Sequence, residues 1–151
     1  MKRTIIAFAI LFACITAHAQ TLRVDQIPKA AAHAFRAKYP AAQQESWERI
    51  SDSIYEVGFF NGKKAQTAQY DMTGRWISTE TDITGGSLPR PVSNAIPKNF
   101  PGFDIQIIYQ VDNADGSITY EAVIFKGREN YHVTFSPKGE VLKKEAGQSG
   151  E

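Results

Sequence analysis

The chain has 151 residues with a nearly balanced charge: 17 basic and 16 acidic residues give a formal net charge of +1. Such a mixed composition lacks the basic patch or stripe that nucleic-acid binding requires, so we predict no nucleic-acid partner. The chain has a single cysteine, so its fold depends on no intrachain disulfide.

The first 19 residues have the pattern of a secretory signal peptide. Residues 2–3 are basic, residues 4–13 are apolar, and residues 17–19 (Ala-His-Ala) form a small-x-small cleavage site before Gln20. The apolar stretch is about half the roughly 20 residues that a membrane-spanning helix needs, so we predict no membrane span. Cleavage leaves 15 basic and 16 acidic residues, and we expect the mature chain to be periplasmic or secreted.

Cys14 leaves an alternative to this cleavage. Residues 11–14 (Leu-Phe-Ala-Cys) loosely resemble a lipoprotein box, in which the cysteine carries a lipid anchor. Phe12 stands where a smaller residue is usual, so we prefer cleavage before Gln20.

Two segments, 61 residues apart, each predict an amphipathic helix with one buried face. Their apolar residues recur at i, i+4, i+7, i+8 and i+12, as Ile27, Ala31, Ala34, Phe35 and Tyr39, and as Leu88, Val92, Ala95, Ile96 and Phe100. Pro28 and Pro89 suit a first helical turn, and Asp25 and Ser87 are candidate N-caps. Pro97 lies inside the second segment and predicts a bend or break there, because it removes a backbone hydrogen bond.

Each helix is followed by segments that predict four antiparallel strands. In the second half these are residues 105–111, 118–125, 131–135 and 141–145, separated by glycine-containing turns. Ile105, Ile107, Tyr109 and Val111 alternate along the first of them and are expected on one side of the sheet.

The two halves match in register at an offset of 65 residues after the helices. The sequence YDMTGRWISTE of residues 70–80 corresponds to FSPKGEVLKKE of residues 135–145, and Glu56 corresponds to Glu121. A match over about 55 residues predicts an internal duplication. We therefore predict an α+β fold of two tandem units, each a helix plus a four-stranded antiparallel sheet. The first repeat spans residues 20–84 and the second residues 85–145, and residues 146–151 form a disordered tail.

These motifs carry a resemblance to a known family. The pattern "IP…AF…YP", "YEVGF…G" and "YDMTGRWI", repeated as "LP…AI…FPG", "YEAVIFKG" and "FSPKGEVL", is similar to the PepSY-like family of secreted bacterial proteins. The resemblance implies a fold like that of beta-lactamase-inhibitory protein, no cofactor and no known catalytic centre. PepSY domains proper have been proposed to inhibit or regulate peptidases. The chain departs from the pattern at Ala41 and in its first strand, where Trp47 aligns with Ile108 in opposite phase, so we expect the two halves to use their first strands differently.

No motif in the sequence indicates catalysis, a metal or a cofactor. The mature chain has two histidines, His33 and His132, in different halves, and a zinc site needs three or four clustered ligands. Residues 112–116 fail the spacing of a calcium loop. Glu56 and Glu121 form a carboxylate pair of the kind that glycosidases use, but their repeated position after a tyrosine favours a structural or surface role. We therefore predict a protein without enzymatic activity.

The remaining candidate is a binding surface on the sheet face away from the helices. Its candidate partner-binding residues are Trp47, Glu56, Trp76, Glu121 and His132, with the alternative that both tryptophans belong to the core. The preferred function is binding of a protein or peptide of the cell envelope, with inhibition of a peptidase or another enzyme by steric occlusion. The alternative is a small-molecule or cell-surface ligand bound in the groove between the repeats.

Overall fold

The computed structural model describes residues 21–147. Residues 1–20, which hold the predicted signal peptide and Cys14, and residues 148–151 of the predicted tail lie outside the described residues. The helices are α1 (Lys29–Lys38) and α2 (Arg90–Asn99), and short 3-10 turns span Val24–Gln26 and Gly85–Ser87. The strands are β1 (Ala42–Arg49), β2 (Ile54–Asn61), β3 (Lys64–Asp71), β4 (Trp76–Ile83), β5 (Asp104–Asn113), β6 (Ile118–Lys126), β7 (Glu129–Phe135) and β8 (Val141–Ala146).

The eight strands form one antiparallel sheet in chain order, from β1 to β8. The chain therefore passes twice through the order of one helix and four strands, as the sequence predicts, but the two expected four-stranded sheets form one continuous sheet. The two halves are joined by ladder pairing of β4 with β5, from Ser78 opposite Asn113 to Ile83 opposite Ile108. No helix among residues 21–147 is long and apolar enough to cross a membrane.

Both helices pack on the same side of the sheet, and each buries an apolar core in its own half of the chain. Phe35 of α1 is fully buried with Val57, Ala68 and Tyr70, and its ring meets the Trp47 ring edge-on at 5.5 Å between centroids. In the second half, the buried residues are Val92, Ala95, Ile96 and Phe100 of the helix region with Tyr120, Ala122, Ile124, Val133 and Phe135 of the strands. The apolar stripes read from the sequence are therefore the helix faces that contact the sheet.

The repeated glycines Gly74 and Gly139 hold the turn before the last strand of each half against the helix. Both have a left-handed backbone, with φ of 86° and 83°. A Cβ on Gly74 would lie 2.7 Å from the Ala30 carbonyl oxygen, and one on Gly139 would collide with the carbonyl of Pro91. Both the conformation and the close backbone approach require glycine, which explains why both halves have a glycine at this position.

The helix ends differ from those expected from the sequence. The N-caps are Pro28 and Pro89, without a side-chain cap hydrogen bond, and Asp25 and Ser87 lie in the preceding 3-10 turns. The expected break at Pro97 is absent, since α2 continues to Asn99. Pro97 lies in the last helical turn, where the loss of one backbone hydrogen bond does not end the helix.

The first strand of the second half also differs from the expectation. The pairing of β5 with β6 shifts between Ile105 and Ile107, so these two residues do not continue one alternation. Ile107, Tyr109 and Val111 share one side of the sheet, while Ile105 pairs with Ile124 of the second core. A bulge of this kind reverses the side on which the following residues lie.

Candidate binding face

The side of the sheet opposite the helices, here called the open face, is defined by the strand register. Directly paired residues lie on the same side. Because Trp47, Val57 and Ala68 pair in a row and belong to the first core, their neighbours point the other way. The row next to them on the open face is Glu48, Glu56, Gln69, Ser78 and Asn113. No described helix packs on this side of the sheet.

Three carboxylates on the open face, Glu56, Glu80 and Glu121, form what we call the acidic trio. They lie on β2, β4 and β6, so one strand separates each from the next. Glu56 accepts a hydrogen bond from Gln69 Nε2 at 2.9 Å, and Glu121 Oε1 lies 3.4 Å from His132 Nδ1. Within residues 21–147, the Glu80 carboxylate has neither a hydrogen-bond donor nor a cationic partner. Glu80 is thus the uncompensated charge at the centre of the face.

The surroundings of Glu80 favour its neutral form. Burial raises the pKa of Glu80 to about 7, and the negative charges of Glu121 and Glu56 add to the shift. Burial also raises the pKa of Glu56, while the hydrogen bond from Gln69 opposes that shift. The pKa of Tyr109 is raised by burial and by the Glu80 and Asp82 carboxylates. Glu80 thus lies in a partly buried place between two further carboxylates, each two strands away.

The floor of the open face is buried although it has no described covering layer. Ser78 is 4% exposed, Val123 7%, and Gln69 and Val111 8% each. Gln69 donates to Glu56, but the Ser78 hydroxyl has no hydrogen-bond partner among the described residues. The face thus combines buried apolar side chains, a serine hydroxyl without a described partner and the acidic trio in one continuous area.

The structure brings three of the five predicted partner-binding residues onto the open face. Glu56 and Glu121 lie in the centre, and His132 lies on β7 beside Val123. The repeat register also holds in space: Glu56 pairs with Gln69 as Glu121 pairs with Thr134.

The two tryptophans do not flank this face, and the alternative that they belong to the core is the one that the structure shows. Trp47 is 3% exposed and lies in the first core, on the helix side. Trp76 packs against the same core, donates from Nε1 to Thr79 Oγ1 at 2.9 Å and has the Lys38 ammonium 3.9 Å from its ring centroid. The alternation of β1 places Trp47 on the side of Val57, which the local sequence does not reveal. Trp47 and Ile108 both face the helices, so the first strands are also more alike than expected.

Sequence reasoning missed Glu80, Ser78 and Val111. Glu80 was visible as one of the residues matched between the halves, with Glu145, and the local difference is that Glu145 follows two lysines while Glu80 follows Ser78 and Thr79. Glu145 lies on the edge strand β8, and the Lys143 Nζ is 2.9 Å from its Oε2. The environment that makes Glu80 unusual comes from β5 and β6, which belong to the other half.

The groove expected between the repeats is reduced to a shallow depression. Pairing of β4 with β5 closes the sheet between the halves, and a depression of about 410 Å³ remains at the end of this pair, lined by residues 82–85 and 105–108. A larger one, of about 660 Å³, lies beside α1 between Val24 and Arg36. Among residues 21–147, no three histidine, cysteine or acidic side chains are placed to hold a metal ion.

An eight-stranded antiparallel sheet with two helices on one side and a free opposite side is the architecture of a beta-lactamase-inhibitor-like protein. The chain matches the profile of the family described as "Putative beta-lactamase-inhibitor-like, PepSY-like" over residues 13–62 and 53–143. It belongs to this PepSY-like family, as the sequence motifs indicate. No curated protein matches the chain.

Solved structures share this fold. A "putative periplasmic" protein of Bacteroides eggerthii is 23% identical, with a TM-score of 0.73 over 79% of this chain and 88% of its own. A DUF2874 family protein of Bacteroides ovatus is 21% identical, with a TM-score of 0.70 over 79% and 86%. A BLIP-like protein of Bacteroides fragilis is 19% identical, with a TM-score of 0.68 over 81% and 87%. These TM-scores establish the shared fold, whereas identities of 19–23% say nothing about a shared function.

Proposed function

We propose that the protein is exported and acts as a non-enzymatic binding protein of the cell envelope, whose open face covers a protein or peptide partner. In this proposal it inhibits or regulates a peptidase or another enzyme by steric occlusion, with no bond made or broken. The mature chain begins at Gln20, and residues 20–84 and 85–145 act as two repeats of one unit.

The observation that carries this proposal is the composition of the open face. Val111 and Val123 are buried there next to the acidic trio, on a sheet side that no described helix covers. Apolar residues at the centre of a patch with polar and charged neighbours are typical of protein interfaces. The family name and the periplasmic description of a relative support export and binding.

The test is capture of a partner from the envelope fraction with the mature chain as bait, followed by mapping of the contact surface. We expect a partner that is retained by the wild type and lost when Val111→Lys places a charge in the floor of the open face. Lys98→Glu, on the exposed side of α2, is the control and should retain the partner. If the captured protein is an enzyme, a stoichiometric amount of the mature chain should suppress its activity.

Retention of the partner by Val111→Lys, in a variant shown by circular dichroism to be folded, would place the contact elsewhere and refute the use of the open face. Loss of the partner with Lys98→Glu but not with Val111→Lys would place the contact on the helix side of the sheet.

The second candidate is a small-ligand module, favoured by the depression of about 410 Å³ at the β4–β5 junction. Its apolar lining from Ile83, Ile105, Ile107 and Ile108 suits a small apolar or amphipathic molecule. Extraction of the protein purified from its native envelope, with mass spectrometry of the released molecules, separates the candidates. A stoichiometric small molecule and no protein partner would favour this second function.

A further inference from the structure

The charges of this nearly neutral protein are sorted between the two sides of the sheet. Of the lysines and arginines on the described strands, only Lys143 shares the open face, whereas Glu48, Asp82 and Glu145 lie there together with the acidic trio. The helices on the other side carry Lys29, Arg36 and Lys38 in α1 and Arg90 and Lys98 in α2, without an acidic residue in either. The open face is therefore acidic because the fold places acidic side chains on it and most basic side chains on the helix side.

Within the acidic trio, Glu80 is the member that the described residues leave uncompensated. Glu121 has His132 and Glu56 has Gln69, but no described group donates to the Glu80 carboxylate or neutralises it. The charges that shift its pKa most are the other two carboxylates of the trio. An unpaired, partly buried charge destabilises the free protein, and a cation placed beside it would remove that cost.

Ser78 is an independent sign that this place receives a ligand. It is 4% exposed, lies on the open face between Gln69 and Asn113, and stands two residues before Glu80 on the same strand. Its side chain has no hydrogen-bond partner among the described residues, and its oxygen keeps contact with solvent, so it is open to a donor that approaches the face. A hydroxyl and a carboxylate side by side, both without partners, are two acceptors for the N–H groups of one incoming cationic side chain.

We propose that the acidic trio with Ser78 is an anchor for lysine or arginine side chains on the surface of the partner protein, with Glu80 as its central acceptor. This rests on the proposed function, and it names the chemistry of the partner. An arginine suits the place best, because its five donors can bond Glu80 and Ser78 together.

The dimensions favour a protein over a metal ion or a small cation. From β2 to β6 there are four strand spacings of about 4.8 Å, so the trio extends over roughly 19 Å. A single metal ion binds oxygen ligands at about 2.0–2.6 Å and cannot use carboxylates set this far apart along the sheet. Several cations on one protein surface can occupy such a length, which is the scale of an ordinary protein interface.

The experiment is an amide-resolved NMR titration of the ¹⁵N-labelled mature chain with a defined probe. The probe is a capped heptapeptide, Arg-Gly-Gly-Arg-Gly-Gly-Arg, whose arginines lie roughly 10 Å apart when extended, about two strand spacings. The same peptide with glutamine in place of arginine is the uncharged control. We expect saturable shifts at the amides around Glu56, Ser78, Glu80 and Glu121 with the arginine peptide and none with the glutamine peptide.

Two matched variants test the central role of Glu80. Glu80→Gln should weaken peptide binding by about fivefold or more, since it removes the charge that has no partner of its own. Glu145→Gln removes the same charge at the repeat-equivalent position, where Lys143 already compensates it, and should change binding by less than about twofold. Equal weakening by both variants would mean non-specific attraction to an acidic surface and would overturn the proposal, as would saturation at the β7–β8 edge alone or no saturable shift.

A second copy of this chain, offering its basic helices to the open face, is the competing occupant. Sedimentation of the unliganded protein over a range of concentrations should show a monomer, and self-association that Glu80→Gln abolishes would assign the anchor to another copy and overturn the proposal. The cationic anchor and the proposed function can fail independently of each other. A captured partner that is lost with Val111→Lys but bound equally well by Glu80→Gln would retain the binding role of the open face and refute the cationic anchor.

Discussion

Replacing Glu80 with glutamine should stabilise the protein above about pH 4.5, and the gain should be complete above about pH 7. The pKa of Glu80 is raised from 4.5 to about 7 in the folded protein, by burial and by the charges of Glu121 and Glu56. Below about pH 4.5 the group is protonated in both the folded and unfolded chains and has no effect on stability. As the pH rises from about 4.5 to 7, the folded state retains a proton that the unfolded state releases, so the free energy of unfolding falls.

The magnitude follows from the size of the shift. One pKa unit corresponds to about 1.36 kcal/mol, so the shift to about 7 corresponds to about 3 kcal/mol. Glu80 is not fully buried, so solvent screens part of this shift and we expect roughly 1–3 kcal/mol. Glutamine has nearly the same shape and no charge. It should raise the free energy of unfolding by that amount at roughly pH 8 and by almost nothing at roughly pH 4.5.

The assay is urea denaturation of the mature chain and its variants, followed by far-ultraviolet circular dichroism at both pH values. With an m-value of about 1–3 kcal/mol/M, the gain at the higher pH moves the midpoint by about 1 M. Glu145→Gln is the matched control and should change stability by less than about 1 kcal/mol at either pH, since its exposed ion pair with Lys143 contributes little. A Glu80→Gln variant no more stable than the wild type at roughly pH 8 would refute the account of an uncompensated carboxylate.

Three further changes test the fold that supports the face. Trp47→Ala should destabilise the protein by about 3–5 kcal/mol in thermal melts, because the side chain fills the first core against Phe35; a variant with unchanged melting would return Trp47 to the surface. Gly74→Ala should cost about 2 kcal/mol or more, while Gly85→Ala, with an ordinary φ and open space at its Cβ, should be nearly neutral; equal effects would contradict the close approach to α1. Hydrogen bonds from Thr73, together with Arg75, lower the pKa of Asp71 to about 2, so Asp71→Asn should remove about 1 kcal/mol of stability after allowance for solvent screening. In the wild type this contribution is present above about pH 4 and is lost as the pH falls through about 2, so a variant with an unchanged acid limb of the unfolding curve would contradict it.

The helices and the order of elements could be predicted because their signals are local. The apolar stripe of each helix is contained in thirteen residues, and the glycine of each turn is fixed by its own backbone conformation. The match between the halves then extends a prediction made in one half to the other. These features need no knowledge of what lies across the sheet.

The side of the sheet on which a strand residue lies is harder to predict from sequence, because one β-bulge in the strand pairing reverses it. In β5 the bulge after Ile105 sends Tyr109 and Val111 to the open face, so an alternating apolar pattern there marks the binding side and not the core. The sequence of β1 is mostly polar, yet Trp47 within it is a core residue. Its side of the sheet is set by its pairing with Val57. Aromatic character alone therefore does not decide between the binding face and the core, and the core alternative is the correct one for both tryptophans.

Glu80 shows why the centre of the candidate site could not be predicted from either half. It occupies the same place in the repeat as Glu145, since Thr67 pairs with Glu80 as His132 pairs with Glu145. The two glutamates differ because β4 has β5 beside it, whereas β8 is an edge strand open to solvent. Val111 therefore lies against Glu80, which loses solvent, while Glu145 retains solvent and a lysine partner.

Joining two similar units edge to edge thus gives this sheet a property that neither unit has alone. Glu56 and Glu80 come from the first half, and Val111 and Glu121 come from the second, so the acidic trio exists only where the β4–β5 ladder is formed. A substitution that weakens this ladder should separate Glu80 from Glu121 and lower its pKa without touching either carboxylate. The strength of the proposed anchor and the integrity of the junction are therefore coupled, because Glu80 lies on the strand where the two halves meet.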